Sequence, residues 1–270
     1  MKKYNIGFIG SGKMAGAIIK GLLKSSFATP ENLLATQAEV DNVAEKSAEL
    51  GIEIILDNKI LVQKSDVIFI ATKPNQVEDV LKEISSLITS EKLVISIAAG
   101  VSVEKLEKNL PLNARVIRVM PNTPVLVEEG VCGIYGGTNS KKEDLDYVSA
   151  LFSTIGKSVT VENEVQMDIV TAISGSGPAF FYKVINDIAR AGEKMGLEYE
   201  KALLLSIQTA LGSAKMALNR EVDMETLISN VATKGGCTRV GVDVMEEKNV
   251  DKIFDEVILK TTEKAHELGK

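Results

Sequence analysis

Tryptophan is absent from these 270 residues, and phenylalanine and tyrosine bring the aromatic share to only 4%. A core without large rings must be aliphatic, built from Val, Ile, Leu, Ala and the eight Met. Cysteine is scarce as well: Cys132 and Cys237 are too few for a disulfide framework or a zinc cluster. The single histidine, His266, stands in a Lys- and Glu-rich C-terminal stretch. A metal-binding His pair and a catalytic His base are thereby excluded, no metal site is expected, and the chemistry must come from a cofactor. No basic run exceeds two residues and the net charge is −6, which argues against a nucleic-acid surface. No apolar stretch approaches the roughly 20 residues that span a bilayer. The opening Met1-Lys2-Lys3-Tyr4 leads into a strand-like run instead of an apolar leader, so a cytoplasmic enzyme is expected.

What is present is an ordinary globular composition, 45% hydrophobic and 25% charged. The first half alternates short β-branched runs with amphipathic stretches. Strands are expected at Ile6–Ile9, Leu33–Thr36, Glu53–Leu56, Val67–Ala71, Leu93–Ala98 and Arg115–Met120. Helices are expected at Met14–Lys24, Val40–Leu50, Val77–Leu87 and Val103–Leu110. Nearly unbroken apolar strands alternating with helices mean a parallel sheet covered on both faces. Beyond Val161 no further strand is evident. Val184, Ile188, Ala191 and Met195 keep helical spacing, and helices follow at Met224–Val231, Thr238–Glu247 and Val250–Leu268. The expected fold class is α/β: an N-terminal Rossmann-type doubly wound parallel sheet over 1–161, then an all-helical domain over 162–270. The apolar content of the helical part suggests packing between subunits, and a dimer is expected.

Gly10-Ser11-Gly12-Lys13-Met14-Ala15 follows the first strand and opens the first helix. Gly10 allows a tight turn, Gly12 lets backbone approach a pyrophosphate, and Ala15 permits close helix–strand packing. The end of the second strand reads Thr36-Gln37-Ala38, without the acid that usually holds an NAD ribose. Thr36 and Gln37 are expected to donate hydrogen bonds to a 2′-phosphate, and Glu39 to point away. NADPH is therefore favoured, with NADH as the alternative. Ala71-Thr72-Lys73-Pro74 and Ile97-Ala98-Ala99-Gly100 close adjacent strands, where a nicotinamide ring can lie against backbone.

Further on, Gly235-Gly236-Cys237-Thr238 opens a helix whose first N–H groups have no partner, an end suited to a small carboxylate. Ser176-Gly177-Pro178 reads as a helix start with a hydroxyl cap or as a wall beside the nicotinamide. Glu164 stands at the domain junction, either as a substrate contact or as a solvated helix-start carboxylate. Arg118 lies on a strand and reads as a structural ion pair.

With these segments in view, the chain resembles the pyrroline-5-carboxylate reductase family. The resemblance runs nearly end to end. It is carried by the N-terminal turn, Asp57-Asn58, the Lys73-Pro74 loop, Ser96–Gly100 and Arg118-Val119-Met120-Pro121-Asn122-Thr123-Pro124. Ser174-Gly175-Ser176-Gly177-Pro178-Ala179 and Gly235-Gly236-Cys237-Thr238 complete it, and the last three segments in that order are highly specific.

The resemblance implies a cofactor site of Gly10, Ser11, Gly12, Lys13, Met14, Thr36, Gln37, Asn58, Ala71, Thr72, Lys73, Pro74, Ile97, Ala98 and Ala99. It implies a substrate site of Glu164, Ser176, Gly235, Gly236, Cys237 and Thr238, with Thr238 as the catalytic residue. It further implies 1-pyrroline-5-carboxylate as substrate, L-proline as product, and a homodimer that in several members assembles as a decamer of five dimers. The chain departs from the family pattern at Lys234, where Pro is common, at Cys237, and at Asn186, where an acid is usual. A reductase of a related cyclic imine, or a 3-hydroxyacid dehydrogenase with Lys183 as its candidate residue, is a second reading. A reductase-like regulatory dinucleotide binder is a third.

Overall fold

The computed structural model describes residues 4–219 and 221–269; the opening Met1-Lys2-Lys3 lies outside them. Contacts divide the chain into two compact units. One runs up to Ser176 and takes back the chain from Thr261 onward; the other is Gly177–Lys260.

The first unit is a single eight-stranded sheet. Its strands are β1 (Ile6–Ile9), β2 (Leu33–Thr36), β3 (Glu53–Ile55), β4 (Val67–Ile70), β5 (Leu93–Ser96), β6 (Arg115–Met120), β7 (Gly130–Gly136) and β8 (Gly156–Thr160). They lie in the order β3-β2-β1-β4-β5-β6-β7-β8. All neighbouring pairs are parallel except β6 and β7, which run antiparallel. The strand order reverses between β1 and β4, the switch point at which doubly wound folds bind ligands beyond the carboxyl ends of the strands.

The helices α1 (Lys13–Lys24), α2 (Val43–Leu50), α3 (Asn58–Lys64), α4 (Val77–Ile84), α5 (Val103–Lys108), α6 (Lys142–Phe152) and α7 (Val165–Val170) cover this sheet. Two buried clusters mark its two faces. One joins Phe8 and Phe69 to Ile18, Leu22, Leu50 and Phe152, from α1, α2 and α6. The other joins Ile68 and Val94 to Leu61, Leu81 and Leu106, from α3, α4 and α5. Phe8 and Phe69, opposite one another in the β1–β4 register, stack at 4.5 Å. Full burial of each such side chain is worth about 1.5–3 kcal/mol.

A sequence boundary was expected near 161, whereas the contacts carry the first unit on to Ser176. The reason is local: α7 packs against β7, where the space beside Gly133 is filled by Val170. A π-helical turn, Thr171–Gly175, follows.

The second unit comprises α8 (Gly177–Lys194), α9 (Tyr199–Leu218), α10 (Met224–Val231), α11 (Cys237–Glu247) and most of α12 (Val250–Gly269). Helices α8 and α9 pack closely where Gly192 meets Ala202, with Ala189 and Ala202 buried. Tyr199 donates its hydroxyl to Asn186 Oδ1 at 2.9 Å, and Arg190 lies 4.3 Å from the Tyr199 ring centroid. Asn186, a departure from the family pattern, thus has a structural partner between these helices. Phe181, Ile188, Leu204, Leu205, Met216, Met245 and Ile253 remain exposed.

Candidate active site

At the carboxyl end of β1 the chain turns through Gly10 with φ of +102°, a conformation that favours glycine. A Cβ there would also stand 2.7 Å from the Ala71 carbonyl, so the turn is pressed against the loop after β4. Above Gly12 nothing lies within 4 Å of the corresponding position. Gly12 is the N-cap of α1 and supplies no side-chain acceptor, so the first N–H groups of α1 face open space. Together these make a cradle for a pyrophosphate.

A cleft of about 550 Å³ runs over this turn. Of the expected cofactor residues, Gly10, Ser11, Gly12, Gln37, Ala71, Thr72 and Lys73 line it. Ile97, Ala98 and Ala99 leave the next strand end, β5, and Pro74 starts a short 3-10 turn ahead of α4. Lys13 and Met14 form the first turn of α1.

Thr72 carries an informative atom. Its Oγ1 is buried and has no hydrogen-bond partner. A buried hydroxyl without a partner costs about 1–3 kcal/mol, and a ligand in the cleft that Thr72 lines would supply the missing partner. The residues present therefore fit a dinucleotide. Thr72→Val is expected to leave the ligand-free protein as stable as before, or about 1 kcal/mol more so, and to weaken dinucleotide binding about fivefold. Thermal unfolding and a dinucleotide titration check both halves; a loss of stability without ligand would point to an internal partner instead.

Two expectations at the end of β2 are corrected. Thr36, 2% exposed, donates its one hydroxyl proton to Asn58 Oδ1 at 2.7 Å. Gln37 gives both protons of Nε2 to the backbone carbonyls of Glu39 and Asp41, at 2.8 and 3.1 Å. Neither side chain retains a donor for a 2′-phosphate. Glu39, expected to point away, lines the cleft with Asp41, Glu45, Lys46 and Glu49. The cause is a late helix start: Asn42 adopts φ of 72°, so α2 begins at Val43 and the preceding residues fold over the cleft. Hydrogen bonds from Lys46 and Lys20 hold the Glu49 carboxyl down at about 2. The four carboxylates within residues 39–49 were the signal in the sequence.

Glu164 lies in the first unit. Its Oε1 accepts from Arg118 Nη1 at 2.9 Å and from the Val103 N–H at 2.7 Å, behind the loop that follows β5. Arg118 is 4% exposed and also stands 3.9 Å from Asp168, whose Oδ2 meets His266 Nδ1 at 3.1 Å. The structural ion pair expected of Arg118 is present. These side chains, with Lys105 and Lys108, line a cavity of about 450 Å³. Ser176 has φ of −88° and ψ of −24°, helical values and not the extended backbone of an ordinary N-cap.

In the second unit Gly235 has φ of +80° and Gly236 is the N-cap of α11, again without a side-chain acceptor. Cys237 and Thr238 are the first two residues of the helix and both are exposed. Among the described residues the Thr238 hydroxyl has no hydrogen-bond partner, so the simple cap reading is not realised. Lys183 is ion-paired to Asp187 one turn along α8.

Comparison with known proteins bears on what this arrangement belongs to. The family model described as pyrroline-5-carboxylate reductase dimerisation matches residues 164–268, and one described as NADP oxidoreductase, coenzyme F420-dependent, matches residues 5–100. A pyrroline-5-carboxylate reductase of Methanosarcina acetivorans is 40% identical over 270 residues, covering all of both chains.

The chain belongs to the pyrroline-5-carboxylate reductase family.

The solved pyrroline-5-carboxylate reductase of Coxiella burnetii has 32% identity and a TM-score of 0.95, with both chains fully covered. That of Plasmodium falciparum, with NADP bound, has 31% identity and a TM-score of 0.85, again over all of both chains. A prephenate dehydrogenase of Aquifex aeolicus shares the fold, with a TM-score of 0.57 at 14% identity. Family membership accounts for the pairing of a Rossmann-type unit with a helical one, and the chain is an oxidoreductase that uses a nicotinamide dinucleotide.

Proposed function

We propose that the chain reduces 1-pyrroline-5-carboxylate to L-proline, the last step of proline biosynthesis, with a reduced nicotinamide dinucleotide, NADPH or NADH, as reductant. The observation that carries this reading is the full-length relationship, 40% identity over 270 residues, to a pyrroline-5-carboxylate reductase. The NADP oxidoreductase match over residues 5–100 and the relative with NADP bound support a nicotinamide dinucleotide as the cofactor.

In the proposed mechanism the first unit binds the dinucleotide through Gly10–Met14, Ala71–Pro74 and Ile97–Ala99. Thr36 and Asn58, bonded to each other, would support the chain after β2 from within the protein. When bound, the reduced nicotinamide supplies the hydride that adds to the C=N carbon. The second unit holds the substrate: the N–H groups of Cys237 and Thr238 take the carboxylate, that of Gly236 being bonded to the Thr233 carbonyl at 3.0 Å. The Thr238 hydroxyl hydrogen-bonds the ring nitrogen and orients it. A cyclic imine that arrives protonated needs little further acid, so orientation by these groups carries most of the catalysis. Glu164 serves the substrate end through its hold on Val103 and the loop ahead of it.

The exposed apolar side chains of the second unit and the dimerisation match over 164–268 support a homodimer, and a decamer of five dimers is the larger assembly proposed. No helix among the described residues is long and apolar enough to cross a membrane, and the cytoplasm is the proposed compartment.

The test is loss of absorbance at the reduced-nicotinamide band with 1-pyrroline-5-carboxylate, NADPH and NADH being run in parallel. Proline-forming turnover is expected. A protein that binds dinucleotide and turns over neither mixture would move the assignment to another cyclic imine or to a regulatory role.

A further inference from the structure

We propose that the adenosine-ribose end of the cleft disfavours a 2′-phosphate, so that NADH binds this chain at least as tightly as NADPH. The inference rests on the dinucleotide reading of the cleft, which stands independently on the Gly10–Gly12 cradle and the buried, unpartnered Thr72 hydroxyl.

With the pyrophosphate at the N-terminus of α1, the ribose 2′ oxygen falls beside the chain that follows β2. A site built for a 2′-phosphate offers cations or free donors there, usually Arg. None of the residues lining this cleft is Arg. The donors of Thr36 and Gln37 are already engaged inside the protein. The one cation on the α2 side, Lys46, is bound to Glu49 at 2.8 Å. Glu49 in turn also holds Lys20 at 3.0 Å.

Against these stand Glu39, Asp41 and Glu45, which have no ion-pair partner among the described residues. Lys73, the remaining cation of the cleft, is on the opposite loop, after β4. A phosphate monoester would bring a further charge of about −1.5 to −2 against this wall. A ribose 2′-OH brings none and can donate to a carboxylate.

The experiment is equilibrium binding of NADPH and NADH to the full-length protein without substrate, followed by nicotinamide fluorescence at low and high salt. The expected ratio Kd(NADPH)/Kd(NADH) is about 3–10 at low ionic strength, shrinking as salt screens the carboxylates. In E39Q/D41N/E45Q the ratio should fall at least threefold, mainly through tighter NADPH binding. A ratio below 1 in the unaltered protein would overturn the proposal, and so would a triple variant whose ratio does not move. If neither dinucleotide binds at all, the cleft reading itself fails and the proposal falls with it.

Discussion

Arg118→Met is expected to lower the free energy of unfolding by about 3 kcal/mol, measured by urea denaturation at neutral pH. Arg118 is nearly inaccessible and is held by Glu164 at 2.9 Å, with Asp168 farther off at 3.9 Å. Removing the guanidinium takes the buried cation from Glu164 and Asp168 and leaves them the Val103 N–H and His266 as partners, which costs more than the ion pair itself contributes. The figure sits at the low end for a broken buried pair, because Glu164 keeps 28% of its side chain accessible and water can reach it. If unpaired carboxylates are the cause, adding Glu164→Gln and Asp168→Asn to Arg118→Met should recover at least half of the loss. A single variant within 1 kcal/mol of the unaltered protein would show that the cluster does not matter to stability.

The same substitution should reach the cofactor. Glu164 Oε1 fixes the Val103 N–H just after the Ile97–Gly100 loop, so a Glu164 released from Arg118 loosens the segment proposed to face the nicotinamide. The C-terminal turns of α12 close on the same region. His266 meets Asp168, and the Leu268 carbonyl lies 3.4 Å from where a Cβ on Gly100 would stand. Stability and cofactor affinity are thus expected to be coupled through one charge cluster, and binding measured on Arg118→Met should weaken along with folding.

How much of this could be read from the sequence depended on whether the signal was local. Strands β1, β2 and β6 came out at their observed bounds because short runs dominated by apolar residues mark strands buried on both faces, in β6 despite Arg115 and Arg118. Strand β7 was missed for the opposite reason. Gly-Val-Cys-Gly-Ile-Tyr-Gly neither alternates nor runs continuously apolar, and it pairs antiparallel to β6. Helices α3 and α6 were missed with it, the first being only seven residues long. At the cofactor turn Gly10 and Gly12 carried their own signal in their spacing.

What the residues after β2 do was out of reach. That Thr36 donates to Asn58, 22 positions away, is a fact of tertiary packing. That Glu39 lines the cleft follows from the left-handed Asn42 that delays α2. Arg118 was read as an ion pair, while its partners could be named only once β6 and α7 were seen side by side.

Thr238→Ala is expected to lower kcat/KM by about 10- to 100-fold, equivalent to about 1.4–2.7 kcal/mol of transition-state stabilisation. The structure makes this a clean test. Thr238 is the second residue of α11, exposed, and its hydroxyl bonds to nothing among the described residues. The N-cap is Gly236, which offers no side chain, so alanine removes no cap and stability should change by less than about 0.5 kcal/mol. Thr238→Ser retains the hydroxyl and should retain most of the activity, whereas Thr238→Val keeps the shape and should not. Cys237→Ala should be nearly silent, because the carboxylate is assigned to the backbone N–H at that position and not to the thiol. An alanine variant at position 238 with unchanged kinetics would remove the hydroxyl from the mechanism and leave Gly235–Thr238 as a carboxylate-binding loop alone.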